Sequence, residues 1–282
     1  MGQAYAGLGS PDPRLDGNGR LDFRLAALYR SWARVDPPPS RVKPLPMSLL
    51  THVVTLARCE NTPASLAAAS ILTMGYFFLL RPGEYLGKPR RELSDDLFRL
   101  QDLSMWVGAR AINPCTCPLT DLRAATFATL TFTRQKNGVR GEKIGHGRSG
   151  HPHLCPVLCL VERVVALRHL QATPDTPLNT FGLAGTNLLH VTSRTLTARI
   201  RAALAIHPDP SYSAQDVSAR STRAGGAMAL LCAGVDRERL RMIGRWRSDE
   251  MYRYYLHIQA QPLMTGISAA MLAGGAFQLA PG

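Results

Sequence analysis

Four side chains spread widely along the sequence could together perform a phosphoryl transfer: Arg81, Lys136, Arg223 and Tyr254. A tyrosine phenolate that attacks a phosphodiester keeps the bond energy in a reversible ester and needs neither metal nor water. Charge then builds on the non-bridging oxygens. Two guanidiniums can clamp those oxygens bidentately, and losing one donor of such a clamp costs about 3–4 kcal/mol. The leaving oxygen needs a proton, which a lysine with a lowered pKa can give and an always-protonated arginine gives poorly. The remaining question is whether the intervening elements can carry these groups to one place.

The chain has 282 residues, 45% hydrophobic and 19% charged, which describes a folded globular protein rather than a disordered, fibrous or membrane-spanning one. Its length suits one large domain, or one domain plus a fragment. The net charge of +13 favours a polyanionic partner, nucleic acid before acidic membrane. The first thirty residues contain Asp12, Arg14, Asp16 and Arg20 and no continuous apolar stretch. No signal peptide is expected there, and the six cysteines are expected to be reduced.

Residues 1–41 read as a loose end, one helix over 21–35 and a Pro-rich linker; 42–258 as the compact domain; and 259–282 as a small apolar tail with one helix at 264–273. Helices are expected over 47–58 and over 63–80, the latter an uncharged run capped by Thr62 and Pro63 and read as buried rather than membrane-spanning. Strands are expected at 98–107, 126–134 and 139–144, with Asn137-Gly138 as a hairpin turn. The fold class is therefore α+β, mostly helical with a three-stranded antiparallel sheet. Further helices are expected over 156–170, 193–206, 219–233, 236–243 with Asp236 as cap and Gly244 past its end, and from Ser248 onward.

Four segments, LLRPGEYL (79–86), TFTRQKNGVRGEKIGHGRSGH (131–151), SARSTRAGGAMALLCAGV (218–235) and IGRWRSDEMYRYYLH (243–257), resemble in order and spacing the catalytic domain of the tyrosine recombinase, or phage integrase, family. The eukaryotic mobile-element branch is the most similar. The resemblance implies a DNA breaking-rejoining fold and a site-specific recombinase that works through a 3′-phosphotyrosine. In it Arg81 and Arg223 hold the phosphate, Glu84 accompanies Arg81, Lys136 is the acid with Lys143 across the hairpin as its rival, and Trp246 or Arg245 assists. Tyr254 is implied as nucleophile, with Tyr255 as the rival register. About 100° separates the two on a helix, so only one can face a cleft. Arg220 stands where the family has histidine and cannot accept a proton.

The resemblance also implies double-stranded DNA as partner, a homotetramer on paired sites, no cofactor, and a nuclear location in a eukaryote or otherwise a cytoplasmic one with the DNA. A separate core-binding domain usually precedes this one. Only one helix precedes Asp36 here, so the chain could be a fragment or a truncated product. Two alternatives stand beside this reading: a catalytically inactive DNA-binding remnant, favoured by Arg220, and a type IB topoisomerase-like relaxing enzyme.

Arg134, Arg140, Lys143 and Arg148 flank Lys136 with only Glu142 against them, a basic patch suited to DNA backbone. Gly145 to Gly150 spell G-x-G-x-x-G, but Pro152 and Pro156 stop a helix from opening there, so a nucleotide loop is set aside. Cys115, Cys117, His151, His153, Cys155 and Cys159 lack regular zinc spacing. Buried cysteines are the better reading.

Overall fold

A computed structural model describes Gly9 and residues 12–35, 42–87, 97–133, 141–185, 187–246 and 248–257. The chain divides into two units, Met1–Arg41 and Val42–Gly282. The first contains α1 (Phe23–Val35), where the Asp22 carboxylate accepts from the Arg24 N–H at 2.9 Å. Phe23 and Trp32 on that helix are exposed.

The second unit begins with α2 (Met47–Glu60), α3 (Pro63–Phe77) and the single turn α4 (Pro82–Tyr85). Then come β1 (Leu103–Val107), β2 (Arg110–Ile112), α5 (Leu119–Arg123), β3 (Phe127–Phe132), β4 (Glu142–Gly147) and α6 (Pro156–His169). A two-stranded hairpin follows, β5 (Thr180–Ala184) and β6 (Asn187–His190), then α7 (Ser193–Ile206), α8 (Ser221–Cys232), α9 (Arg237–Gly244) and α10 (Glu250–His257).

The class is α+β, but the main sheet has four strands in the order β2-β1-β3-β4, not three. The run expected as one strand over 98–107 is divided. Leu100–Asp102 make a 3-10 turn in which the Asp102 carboxylate accepts from the Arg99 N–H at 2.8 Å. The chain after β1 then reverses through Gly108, at φ +57°, into β2. β2 has three residues, two of them exposed, too short and too polar to alternate visibly. β3 and β4 pair antiparallel out to Phe132 and Glu142. The Asn137-Gly138 turn between them lies outside the described residues.

Helix α3 is the centre of the unit, packed by α2, α6, α8 and β5. It is apolar on every side, and a helix hydrophobic all round must be buried. Hydroxyls along it are bonded both locally and across to α6, where Ser70 donates to Glu162 Oε2 at 2.9 Å. Thr62 Oγ1 accepts from the Ser65 N–H at 3.1 Å, and Thr73 donates to the Ala69 carbonyl at 2.9 Å. Among the described residues no helix is long and apolar enough to cross a membrane.

Helix α8 lies close against α3 at Gly226 and against the segment before α2 at Gly225. A Cβ on Gly225 would collide with the Leu45 carbonyl, and one on Gly226 with the Tyr76 carbonyl. Because backbone cannot yield as a side-chain tip can, Gly226→Ala is expected to cost about 3 kcal/mol in urea unfolding, the upper end of overpacking. Gly83→Ala, where a Cβ meets open space, serves as the control and should leave the midpoint unmoved.

Candidate active site

Arg81 follows the end of α3 and immediately precedes α4, so its position is fixed by how that turn closes. The Glu84 carboxylate folds back over it, accepting from the Arg81 N–H at 2.7 Å and from Nη1 at 2.9 Å. Glu84 is 5% exposed. An isolated carboxylate so buried would be costly, and its second oxygen has a second cation. Arg245 Nη2 donates to Glu84 Oε2 at 3.0 Å and to the Leu79 carbonyl at 3.1 Å, while Nη1 reaches the Phe78 carbonyl at 3.4 Å. The guanidinium lies 3.8 Å over the Phe132 ring on β3.

Arg245 gets there through an unusual backbone. It closes α9 at φ +52°, a left-handed conformation that glycine generally occupies, and Leu79 at its contact has φ +49°. Two non-glycine residues in that region, side by side, hold strain that the surrounding packing must overcome.

Arg223 stands in the first turn of α8, where the glycine pair that follows lets the helix lie against α3. Its Nη2 donates to the Gly244 carbonyl, which ties α8 to the end of α9. Its Nη1 is buried with no hydrogen-bond partner among the described residues. Burial, with Arg245 and Arg81 adding to it, pushes the Arg223 pKa down to about 10; Glu84 and Tyr255 act the other way. Arg245 is pushed down to about 10 by burial, opposed by Glu84 and Glu142. Both stay cationic at neutral pH. Three guanidiniums thus share one neighbourhood with Glu84, and two buried N–H groups, Arg223 Nη1 and Arg245 Nε, have no acceptor among the described residues. An anion with several oxygens would supply both the missing charge and a missing acceptor.

The tyrosines approach from α10. Trp246 is 9% exposed and joins Leu79, Ala227, Leu231, Leu240 and Tyr255 in a small second core beneath the arginines. Tyr255, 2% exposed, packs on Trp246 at 5.5 Å between ring centroids. Tyr254 is half-buried, its ring 5.3 Å from that of Tyr255 and inclined by 61°. Tyr255 is close enough to contribute to the electrostatics of Arg223. An ion pair from Arg237 to Asp249 holds the start of α10 against α9, with the same arginine 6.0 Å from the Tyr252 ring.

Of the residues expected from sequence, Arg81, Glu84, Arg223 and Arg245 lie together, with Trp246, Tyr254 and Tyr255 in the adjoining cluster. Lys136, Arg134 and Arg140 lie outside the described residues. Lys143 is exposed on β4 opposite Thr131. Arg148 is engaged in the fold, donating to the Ala125 carbonyl at 2.7 Å and to that of Arg123. Arg220 is exposed at the start of α8, its N–H donating to Ser218 Oγ at 3.2 Å.

Gly145 and Gly147 are part of β4, and a Cβ on Gly145 would meet the Phe127 ring at 2.5 Å, so this glycine makes room for sheet packing. All six cysteines are free; Cys155 and Cys159 are buried, while Cys59 is exposed. Among the described residues no three His, Cys, Asp or Glu side chains gather to hold a metal.

Two contributors escaped the sequence reading. Phe132 is the shelf under Arg245, and a phenylalanine alternating in a strand carries no sign of that role. His146 on β4 packs edge-on against Phe78 at 4.7 Å, and burial lowers its pKa. It braces the turn whose carbonyls receive Arg245.

Among solved structures the chain is similar to a XerA recombinase, with 13% identity over 99% of this chain and 73% of that one and a TM-score of 0.46. No family model matches the sequence, and no curated protein is significantly similar to it.

Proposed function

We propose that the protein is a tyrosine-type DNA strand transferase. In this reading Arg223 and Arg81 grip one phosphodiester, and the Tyr254 phenolate attacks phosphorus. The P–O bond to the 5′ oxygen breaks, leaving a 3′-phosphotyrosyl link and a 5′-hydroxyl. Lys136 gives the proton that this oxygen takes up. Attack by a 5′-hydroxyl on the phosphotyrosine then rejoins the strand and restores the tyrosine. Tyr254 is preferred over Tyr255 because a DNA strand must reach the nucleophile, and Tyr255 is sealed under Trp246. The observation that carries the reading is the buried Nη1 of Arg223, without a partner among the described residues, in a three-guanidinium pocket beside the tyrosine helix.

The net charge of +13 and exposed Lys143 suit duplex DNA, and the working unit would be a homotetramer on two paired sites, nuclear in a eukaryotic host. A DNA-binding remnant without catalysis is the second reading, and it rests on exposed Arg220 where a proton acceptor would be useful. Nicked suicide duplexes separate the two. Incubation followed by a denaturing gel and peptide mapping should show a covalent adduct at Tyr254. Binding without any adduct would establish the remnant. In either case affinity should fall with salt, by about 0.9 in log-log slope for each phosphate neutralised.

A further inference from the structure

The residue after Gly244 is an arginine whose side chain does not face the space a phosphate would fill. The Arg245 side chain is 1% exposed against 32% for Arg81. Its Nη groups donate to Glu84 and to the carbonyls of Phe78 and Leu79, one face lies on Phe132, and its buried Nε has no hydrogen-bond partner among the described residues. We propose that Arg245 is a positioning residue that, through Glu84, keeps the Arg81 guanidinium turned toward the substrate and ties it to the end of α9, just ahead of the tyrosine helix. The inference rests on the strand-transfer reading above and assigns one residue within it.

Glu84 divides its oxygens between two cations. Oε1 takes Arg81 Nη1, while Oε2 takes Arg245 Nη2 and the Arg81 N–H. With Arg245 holding Oε2, the carboxylate shares its charge between two guanidiniums, and Arg81 keeps positive potential for an anion. Without Arg245 the whole carboxylate would belong to Arg81, whose guanidinium would swing into a closed bidentate pair. The Phe78 and Leu79 carbonyls would lose their donor as well. Arg245 also caps the end of α9, in the segment that precedes α10, so one side chain ties the arginine turn to the helix before the nucleophile's. Its displacement would change the distance between clamp and phenol without removing either.

The test uses the full chain and the same nicked duplex. Arg245→Met should lower the adduct rate at saturating DNA about 100-fold, the cost of a misplacement near 1 Å, and leave DNA affinity within about threefold. Arg245→Lys should recover about tenfold of that loss, since an ammonium can hold Glu84 but cannot lie flat on Phe132. A weakened affinity with an unchanged rate at saturation would make Arg245 a phosphate contact and overturn the proposal. So would an unchanged rate in the methionine variant or, where that variant does not fold, a wild-type rate in the lysine one.

A readout independent of catalysis is the ¹⁵N–¹H resonance of Arg81 Nε in DNA-free protein. It should move in Arg245→Met and return toward its original position in Arg245→Lys; a resonance that stays put overturns the tether. A wild type that forms no adduct sinks the strand-transfer reading, and this resonance still judges the tether.

Discussion

Tyr254→Phe loses the covalent DNA adduct, a fall of about 10⁴-fold or more, while the unfolding midpoint and DNA affinity stay close to wild type. The variant removes one hydroxyl from a half-buried ring and leaves its packing on Tyr255 in place. Tyr255→Phe is the informative partner. Its ring is buried against Trp246, so the phenylalanine keeps the same shape in the same cavity and should keep the adduct. Loss of the adduct in Tyr255→Phe, with retention in Tyr254→Phe, would move the nucleophile by one residue and require α10 to rotate on DNA.

The second large effect belongs to Arg223. Arg223→Met should slow cleavage about 10²–10³-fold, the scale of losing one pre-organised donor at the developing charge. Arg223→Lys should recover little, because an ammonium cannot offer two parallel N–H groups. The same side chain also donates to the Gly244 carbonyl, so Arg223→Met should cost about 1–3 kcal/mol of stability by orphaning that oxygen. Measuring the rate well below the variant's unfolding midpoint separates the two effects. An unchanged rate with lowered stability would reduce Arg223 to a tie between helices.

Helix α7 was legible to the residue, Ser193 to Ile206, because its apolar positions repeat cleanly and Thr192 caps it. Thr62 and Pro63 announced the start of α3 in the same way. The hairpin β5–β6 was not anticipated. Its residues alternate poorly and turn at Gly185, φ +62°, a local signal too weak to outweigh the loop-like composition around it. In the site, Arg81 and Glu84 were visible as a pair three residues apart, which their ion pair reflects.

The place of Arg245 was not visible. Gly244 was expected just past the end of α9, in the position where glycine takes the left-handed conformation; instead Gly244 remains helical and Arg245 takes that conformation. The Trp246 ring explains the shift. A Cβ at 244 would lie 2.6 Å from it, so the glycine was needed for closeness rather than for its backbone freedom. Only the tertiary arrangement tells these two uses of glycine apart.

The close seat of α8 also bears on how such a site can persist through sequence change. Main chain approaches main chain at Gly226 on α3 and at Gly225 on the segment before α2, so the seat of α8 is set largely by backbone, with the Tyr76 ring and the Leu79 side chain beside it. Drift in the interior beyond these contacts can exchange leucine for valine or alanine without altering this spacing, and the arginine carried one turn away keeps its aim while its surroundings are rewritten.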